Sequence, residues 1–418
     1  MYGYENFLRH LSSNTIFGDF DCFGHELIAM NYEFPKIAHI DDVLPAIKDV
    51  PEFNIMEKEG YTVINYMVAG TETFPPITSK EDAIRRECRG IIFDQNGNIM
   101  ARRYHKFFNI GEREETLPGK IDFSKPHVIL EKLDGSMITP MIMDGVVRWG
   151  TKAGLTDVSA QVEEFLKNDV SDYTGFVRQI ISKGYTPIFE WCSRKQRIVI
   201  DYPKDQLVLT AIRDTIHGEY VNYETMKWFV SDWDIPVVEK VFDSKVENIE
   251  EFIEKVRNSK VGEGCVIRFD DGHMLKLKTD YYIAIHKAKD ALSSERKMVE
   301  VLFQGGLDDL KAVLNPEDRL QIEIYESAFW RTFNENLDLL RILENKFVGM
   351  DRKTFALEFA PAFHPLIRAM IFNLMDGKKT APEILLATYI KNITNNKKFA
   401  DLKHLFFREI KYQEQRTE

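Results

Sequence analysis

From about residue 126 to residue 280, apolar and polar positions alternate in short runs bounded by Gly, Asp, Asn and Pro, as expected of half-buried strands separated by turns. Val128 to Glu131, Met137 to Met143 and Val146 to Trp149 read as strands, and Asp144-Gly145 suits a tight hairpin turn between the last two. Pro187 to Cys192, Arg197 to Asp201 and Leu207 to Ile212 repeat the pattern. Gly264 to Phe269 and His273 to Lys278 form a further hairpin around Asp271-Gly272. Apolar residues at three- and four-residue spacing predict helices over Ala160 to Lys167, Phe176 to Ser182, Thr225 to Trp233 and Ile249 to Arg257. After Lys278 the strand signal fades. Asp280 to His404 reads as amphipathic helices broken near Gly305-Gly306, Pro316, Pro361, Pro365 and Gly377. The expected architecture is α+β, with antiparallel sheets in a domain over residues 1–285 and an all-helical domain over 286–418. Thr73 to Ser79, with Pro75-Pro76, is expected to be a surface loop.

A chain of 418 residues is long enough for two such cores. Apolar stretches such as Leu366 to Met375, interrupted by Arg368 and Asn373, fall short of a membrane span, and the amino terminus lacks a basic-then-apolar signal, so a cytoplasmic protein is expected. Cys22, Cys88, Cys192 and Cys265 show no paired spacing, which argues against a disulfide framework and a structural zinc site. The net charge of −11 counts against nucleic-acid binding only as an average. After residue 285 basic and acidic residues nearly balance, 21 against 20, so the acidity belongs to the first part. Between Lys391 and Tyr412, six cations interleave with Phe399, Phe406, Phe407 and Tyr412. An amphipathic helix with a solvated basic face accounts for this better than an RNA-facing helix does.

The chain has no Gly-x-x-x-x-Gly-Lys-[Ser/Thr] loop, strand-linked Gly-x-Gly-x-x-Gly, His-Glu-x-x-His or Gly-x-Ser-x-Gly. Bound phosphates would therefore be held by side-chain cations. Lys132-Leu133-Asp134-Gly135-Ser136 falls where one strand ends and another begins. The pattern Lys-x-Asp-Gly-Ser arises by chance in a chain of this length on the order of once in a hundred. A lysine attacks phosphorus only as the neutral amine, so it needs neighbouring cations and a partly dry site. Candidate cations are Arg89 in Arg89-Gly90, Lys106 in Lys106-Phe107-Phe108-Asn109, Lys152 in Thr151-Lys152-Ala153-Gly154, and Lys276 and Lys278 on one face of a strand. Glu190 in Phe189-Glu190-Trp191 and Glu263 in Glu263-Gly264-Cys265-Val266 add carboxylates. Any one of these is more often a solvated surface charge than a functional group; their joint placement at strand ends and turns is not expected of surface charges.

In their order, Lys-x-Asp-Gly-Ser, Phe-Glu-Trp, Glu-Gly-x-Val and Lys-x-Lys resemble the motifs of the covalent nucleotidyltransferases, the polynucleotide ligases and RNA-capping enzymes. Arg89-Gly90, Lys106-Phe107-Phe108-Asn109, the offset to Lys152, and Lys276-Leu277-Lys278-Thr279-Asp280-Tyr281-Tyr282 bring the resemblance nearest to the phage RNA ligase 1 family of single-stranded RNA ligases. It is most specific over residues 85–290, and Asp308-Asp309-Leu310-Lys311-Ala312 and Asp351-Arg352-Lys353-Thr354 carry it into the helical part. Before residue 85 the match is weak, and the amino-terminal extension of about 80 residues is matched by position only, apart from Tyr66.

The resemblance implies a nucleotidyltransferase domain with ATP-grasp-like antiparallel sheets, ATP as substrate and Mg²⁺ as cofactor. It implies catalytic roles for Lys132, Asp134, Glu263, Lys276 and Lys278, and an ATP site of Tyr66, Arg89, Lys106, Phe108, Gly135, Lys152, Glu190 and Tyr282. Glu263 would help place the metal, with Asp308 or Asp309 as a further metal contact. The expected partners are single-stranded RNA ends, with broken tRNA as a fitting substrate, and a monomer is expected. A capping guanylyltransferase or DNA ligase would share the Lys132 chemistry, and a non-catalytic ligase-like assembly protein would share only the shape. An acidic protein that binds RNA must gather its cations on one face, so its RNA affinity should fall steeply between low and moderate salt in a titration. A flat response would count against RNA as the partner.

Overall fold

The computed structural model describes residues 33–242 and 246–412. Cys22, and most of the region before residue 53 that was matched by position, lie outside the described residues or in irregular structure. Three sheets build the first part. In the first, β1 (Phe53–Lys58), β2 (Tyr61–Tyr66), β3 (Arg89–Asp94) and β4 (Ile99–Ala101) follow one another as an antiparallel meander. The second has the order β10-β9-β7-β8, with β7 (Ser136–Met143), β8 (Val146–Gly150), β9 (Tyr185–Cys192) and β10 (Gln206–Asp214). The third has the order β11-β6-β12-β13-β5, with β5 (Phe108–Asn109), β6 (His127–Glu131), β11 (Lys240–Phe242), β12 (Gly264–Phe269) and β13 (Met274–Lys278). Every pairing is antiparallel except the short β13–β5 contact. The Asp144-Gly145 turn has both residues at positive φ, 48° and 76°, which matches the twist of β7 and β8.

Two local expectations fail. Residues 197–201 are not a strand, because the backbone N–H groups of Val199 and Ile200 donate to the carboxylate of Asp134, both at 2.7 Å, instead of to a ladder. The Thr73–Ser79 segment is irregular but does not lie wholly on the surface, since Thr73 and Phe74 are buried and Phe74 packs edge-on against Phe53 and Tyr66. The first sheet itself lies mostly before residue 90, where sequence pattern alone offered little.

Helices cover the sheets where the apolar period predicted them. Those at Asp157–Asn168, Tyr173–Ser182 and Tyr223–Val230 place Val162, Phe176, Ile180 and Met226 against Phe189, Leu207 and Leu209 of the second sheet. Ile249–Arg257 sets Phe252 and Val256 against Ile267 and Leu275 of the third. From Asp280 to residue 412 the described chain contains helices and turns without strands. Gly305 ends one helix in the left-handed conformation, and Pro316 and Pro365 each open another at its first position. The longest, Pro316–Phe347, supplies Tyr325, Phe329 and Leu340 to a core shared with Met370, Leu385, Tyr389 and Leu402. Phe399, Phe406 and Phe407 of the basic segment are buried in that core, so its aromatic residues serve packing, as the amphipathic reading expected.

Behind the first sheet lies a buried ionic knot. Glu87 accepts from Arg102 Nε at 3.0 Å and from both terminal nitrogens of Arg213 at 2.8 Å. Burial opposes ionisation of Glu87, but the two guanidinium groups outweigh it and hold its pKa down to about 2. The remaining donors are also used, with Arg102 bonded to the Ile216 and Pro35 carbonyls and Arg213 to the Gly218 carbonyl. Removing the shared carboxylate would leave two buried cations uncompensated. Glu87→Ala should therefore lose about 3–5 kcal/mol of stability in a denaturant titration. Because the folded pKa is depressed, the wild-type contribution is complete above the ordinary value of 4.5 and is lost as pH falls toward about 2.

Candidate active site

The third sheet presents the key side chains. β6 ends at Glu131, and the next residue, Lys132, donates its backbone N–H to the Gly264 carbonyl at 3.0 Å, so the start of β12 lies beside the lysine. Gly264 faces Lys278 on β13, and Val266 faces Lys276. A Cβ on Gly264 would come within 2.0 Å of the Leu277 carbonyl oxygen, so only glycine lets the two strands approach this closely just after Glu263. The Glu263 side chain is buried and spans two lysines, with Oε2 2.7 Å from Lys132 Nζ and Oε1 2.8 Å from Lys278 Nζ. Gly135 plays the corresponding part toward the second sheet. A Cβ there would lie 2.4 Å from the Trp191 carbonyl oxygen, so glycine brings the Lys132 turn against the strand that carries Glu190.

These residues line a cavity of about 610 Å³. Lys132, Gly135, Glu190, Lys276 and Lys278 are at its wall, together with Tyr66, Arg89, Lys106 and Lys152 from the other two sheets and their turns. Tyr66 sits among the last three cations. Burial alone would raise its pKa, but Arg89, Lys106 and Lys152 outweigh burial and the net shift is downward. Lys106 is mostly buried, with Nζ 5.2 Å from the centroids of both the Tyr66 and Phe108 rings. Its pKa is lowered by burial, with Tyr66 opposing and Arg89 reinforcing the shift. Lys276 is a strongly perturbed amine of the wall. Burial first, then the charges of Lys106, Arg89 and Lys132, bring it from an ordinary 10.5 to about 7.

Four predicted residues stand behind the wall. Asp134 is buried, and besides holding Val199 and Ile200 it accepts the hydroxyl of Tyr282 at 2.7 Å. It is thus placed to fix the Lys132 turn against neighbouring segments. Tyr282 is buried, and Lys278 Nζ lies 4.8 Å from the centroid of its ring. Glu263 touches the cavity through the two lysines it pairs with. Phe108 belongs to the core beneath Lys106, and its neighbour Phe107 is the ring that lines the cavity. Asp308 and Asp309 are not brought to this site: both are exposed on a helix away from the cavity wall, and Asp308 pairs with Lys311 at 3.5 Å.

Sequence reasoning missed Phe107, Gln196, Ile198 and Arg268, which also line the cavity. Arg268 is buried with neither terminal nitrogen hydrogen-bonded. Strand alternation carried its signal, since Gly264, Val266 and Arg268 share a face of β12. Among the described residues no group of three His, Cys, Asp or Glu side chains could by itself hold a metal. No helix there is long and apolar enough to cross a membrane.

Two family models match in tandem, one described as RNA ligase over residues 87–282 and one as T4 RNA ligase 1, C-terminal domain, over residues 289–413. The chain belongs to the phage RNA ligase 1 family. The relatives it matches are RNA ligases by name. The ligase is similar to a Thermovibrio ammonificans protein named "Putative RNA ligase", at 29% identity over 66% of this chain and 72% of that one. It is also similar to RNA ligase 1 of bacteriophage TS2126, at 23% identity over 66% of this chain and 69% of the phage protein. Among solved structures, an archaeal ATP-dependent RNA ligase aligns with a TM-score of 0.44 and 13% identity, over 65% of this chain and 69% of that one.

The cation cluster in the ligase makes a prediction about protons. With a pKa near 7, Lys276 is mostly neutral at pH 8, and a bound polyphosphate would restore its charge. Nucleotide binding at pH 8 should therefore take up about one more proton in wild type than in Lys276→Arg, whose guanidinium is always charged. Calorimetric titrations in buffers of different ionisation enthalpy measure the uptake. The same uptake in both proteins would show that Lys276 does not titrate there.

Proposed function

We propose that the ligase joins 5′-phosphate and 3′-hydroxyl RNA ends through a covalent lysyl-AMP on Lys132. The observation that carries this reading is the convergence of Lys132 with five further cations, Arg89, Lys106, Lys152, Lys276 and Lys278, on one cavity. In the first step Lys132 Nζ forms a bond to the α-phosphorus of ATP, the bond to the bridging oxygen breaks, and pyrophosphate leaves. The amine gives up its proton before attack, which requires it to leave the ion pair with Glu263. In the second step a terminal 5′-phosphate oxygen of RNA displaces the lysine and takes the adenylate. In the third the 3′-hydroxyl of the other end attacks the activated phosphate, loses its proton, and expels AMP.

Each step is an in-line displacement at phosphorus, so the protein's task is to position groups and neutralise charge. Lys276 and Lys278 flank Lys132 and suit the α-phosphate, while Arg89, Lys106 and Lys152 suit the phosphates that depart. Glu190, at the cavity wall, would hold the ribose. One buried carboxylate beside lysines fits Mg²⁺ held chiefly by phosphate oxygens and water, with Glu263 assisting, and does not fit an all-protein cage. When bound, the ion supplies further neutralisation of phosphate charge. Broken tRNA is a fitting substrate, with the helical part as its recognition surface, and this rests on the match of that part to the family's C-terminal domain.

Purified ligase mixed with ATP labelled at the α-phosphate and Mg²⁺, without RNA, should retain label on the denatured chain, and Lys132→Ala should retain none. An unlabelled wild type, shown by intact mass to carry no prior adenylate, would refute the lysyl-AMP mechanism.

A further inference from the structure

Arg103 follows β4 and is almost wholly buried, yet among the described residues no carboxylate is paired with it. Its neighbour Arg102 shows the usual solution, a buried guanidinium on the carboxylate of Glu87. Arg103 instead donates Nη1 to the Gly90 carbonyl and Nη2 to the Gly150 carbonyl, the latter at 2.9 Å. Gly90 is on β3 of the first sheet, next to Arg89. Gly150 ends β8 of the second sheet, just before the turn that carries Lys152. The first and second sheets share no hydrogen-bonded strand pair, so the guanidinium is a direct tie between them at this level.

Other contacts at the same junction point the same way. Gly90 has φ +83°, and a Cβ there would lie 2.7 Å from the Lys152 carbonyl oxygen and 2.8 Å from its Cα, so the backbones carrying Arg89 and Lys152 are in direct contact. The Lys152 turn is itself tight, with Thr151 and Gly154 exchanging backbone hydrogen bonds at 2.8 and 2.9 Å. It docks on the first sheet through Leu155 N–H, which donates to the Tyr61 hydroxyl at 2.9 Å, and a Cβ on Gly154 would come 2.7 Å from that hydroxyl. Burying a cation on carbonyls alone is an expensive way to stabilise a fold. Burial accordingly lowers the Arg103 pKa to about 9, with Tyr61 opposing the shift and Arg89 adding to it. A planar fork that donates in two fixed directions, however, sets the separation of two backbone segments in a way that an apolar side chain or a lysine cannot.

We propose that Arg103 is a positioning residue for the first step of the reaction, fixing the spacing of Arg89 and Lys152 around the phosphates that leave as pyrophosphate. The inference rests on the lysyl-AMP reading. It separates from a merely structural role because the β- and γ-phosphates leave together only when ATP reacts, whereas RNA that already carries an adenylate presents its own 5′-phosphate in the β position and brings no γ-phosphate to the site.

The test compares two reactions of the full chain, adenylation by ATP and sealing of pre-adenylated RNA, in wild type, Arg103→Lys, Arg103→Met and Gly90→Ala, with thermal melting alongside. Displacing a positioned group by about 1 Å can slow a reaction about 100-fold. Arg103→Met and Gly90→Ala should accordingly slow adenylation by about 10- to 100-fold and raise the KM for ATP, while sealing changes by less than about threefold. Arg103→Lys, which keeps the charge and loses the fork, should fall between Arg103→Met and wild type in adenylation and should stay folded if Arg103→Met does not. Equal losses in the two reactions, or no loss in adenylation, would overturn the proposal. Failure of wild type to adenylate while sealing pre-adenylated RNA would instead remove the lysyl-AMP reading beneath it.

Discussion

Mutual repulsion among cations is the constraint around which this site is built. Arg89, Lys106, Lys132, Lys152, Lys276 and Lys278 share one partly dry cavity in a chain whose net charge is −11. Charges a few ångströms apart interact more strongly there than in water. The structure offsets the repulsion in three ways. Glu263 is shared between Lys132 and Lys278. Aromatic faces of Tyr66, Phe107, Phe108 and Tyr282 lie against Lys106, Arg89, Lys276 and Lys278. Lys276 yields its proton more readily than an ordinary lysine. A polyphosphate would satisfy the same cations at once, so their mutual repulsion favours a highly charged ligand over a neutral one.

Holding those cations in place requires three sheets that do not share strands to meet at one point. Close backbone approach at glycines achieves much of this. Gly90 meets the Lys152 turn, Gly135 meets Trp191 beside Glu190, and Gly264 meets Leu277 between Lys276 and Lys278. At each junction a side chain would separate two segments carrying charged groups of the site. The glycines in the Arg-Gly, Asp-Gly and Glu-Gly pairs are therefore part of the electrostatic arrangement, because they determine how near the cations stand to one another.

This also explains what could be read from the sequence. Periodicity located most strands of the second and third sheets and most helices, because each buries one face and shows it as a repeat of two or of three to four residues. Side-chain direction was legible where alternation applies, and it put Lys276 and Lys278 on one face. It was not legible in Lys106-Phe107-Phe108, which enters a strand of only two residues, and there the sequence reading chose Phe108 over Phe107. Residues 197–201 carry strand-like composition but are held by the carboxylate of Asp134, a contact 65 residues distant in sequence that no local pattern encodes. Arg103 was invisible for the same reason, since its partners are carbonyls, and carbonyls leave no mark on residue identity.

Asp134 links the chemistry to the rest of the molecule. Its carboxylate gathers the backbone of Val199 and Ile200 and the hydroxyl of Tyr282, and its own backbone N–H donates to the Tyr202 hydroxyl at 2.8 Å. Ile198 and Val199 then pack with Tyr282 and Ile285, where Val313 of the helical part joins them. A single buried carboxylate two residues from Lys132 therefore touches the turn that carries the lysine, the segment 196–202 whose Gln196 and Ile198 line the cavity, and the first helix after the sheets. Because a buried carboxylate is stable only when its acceptors are satisfied, displacing any one of these segments would weaken the hold on the other two. The lysine turn, the cavity rim and the start of the helical part are in this way one mechanical unit, through which the helices can bear on the geometry of Lys132 without reaching the cavity themselves.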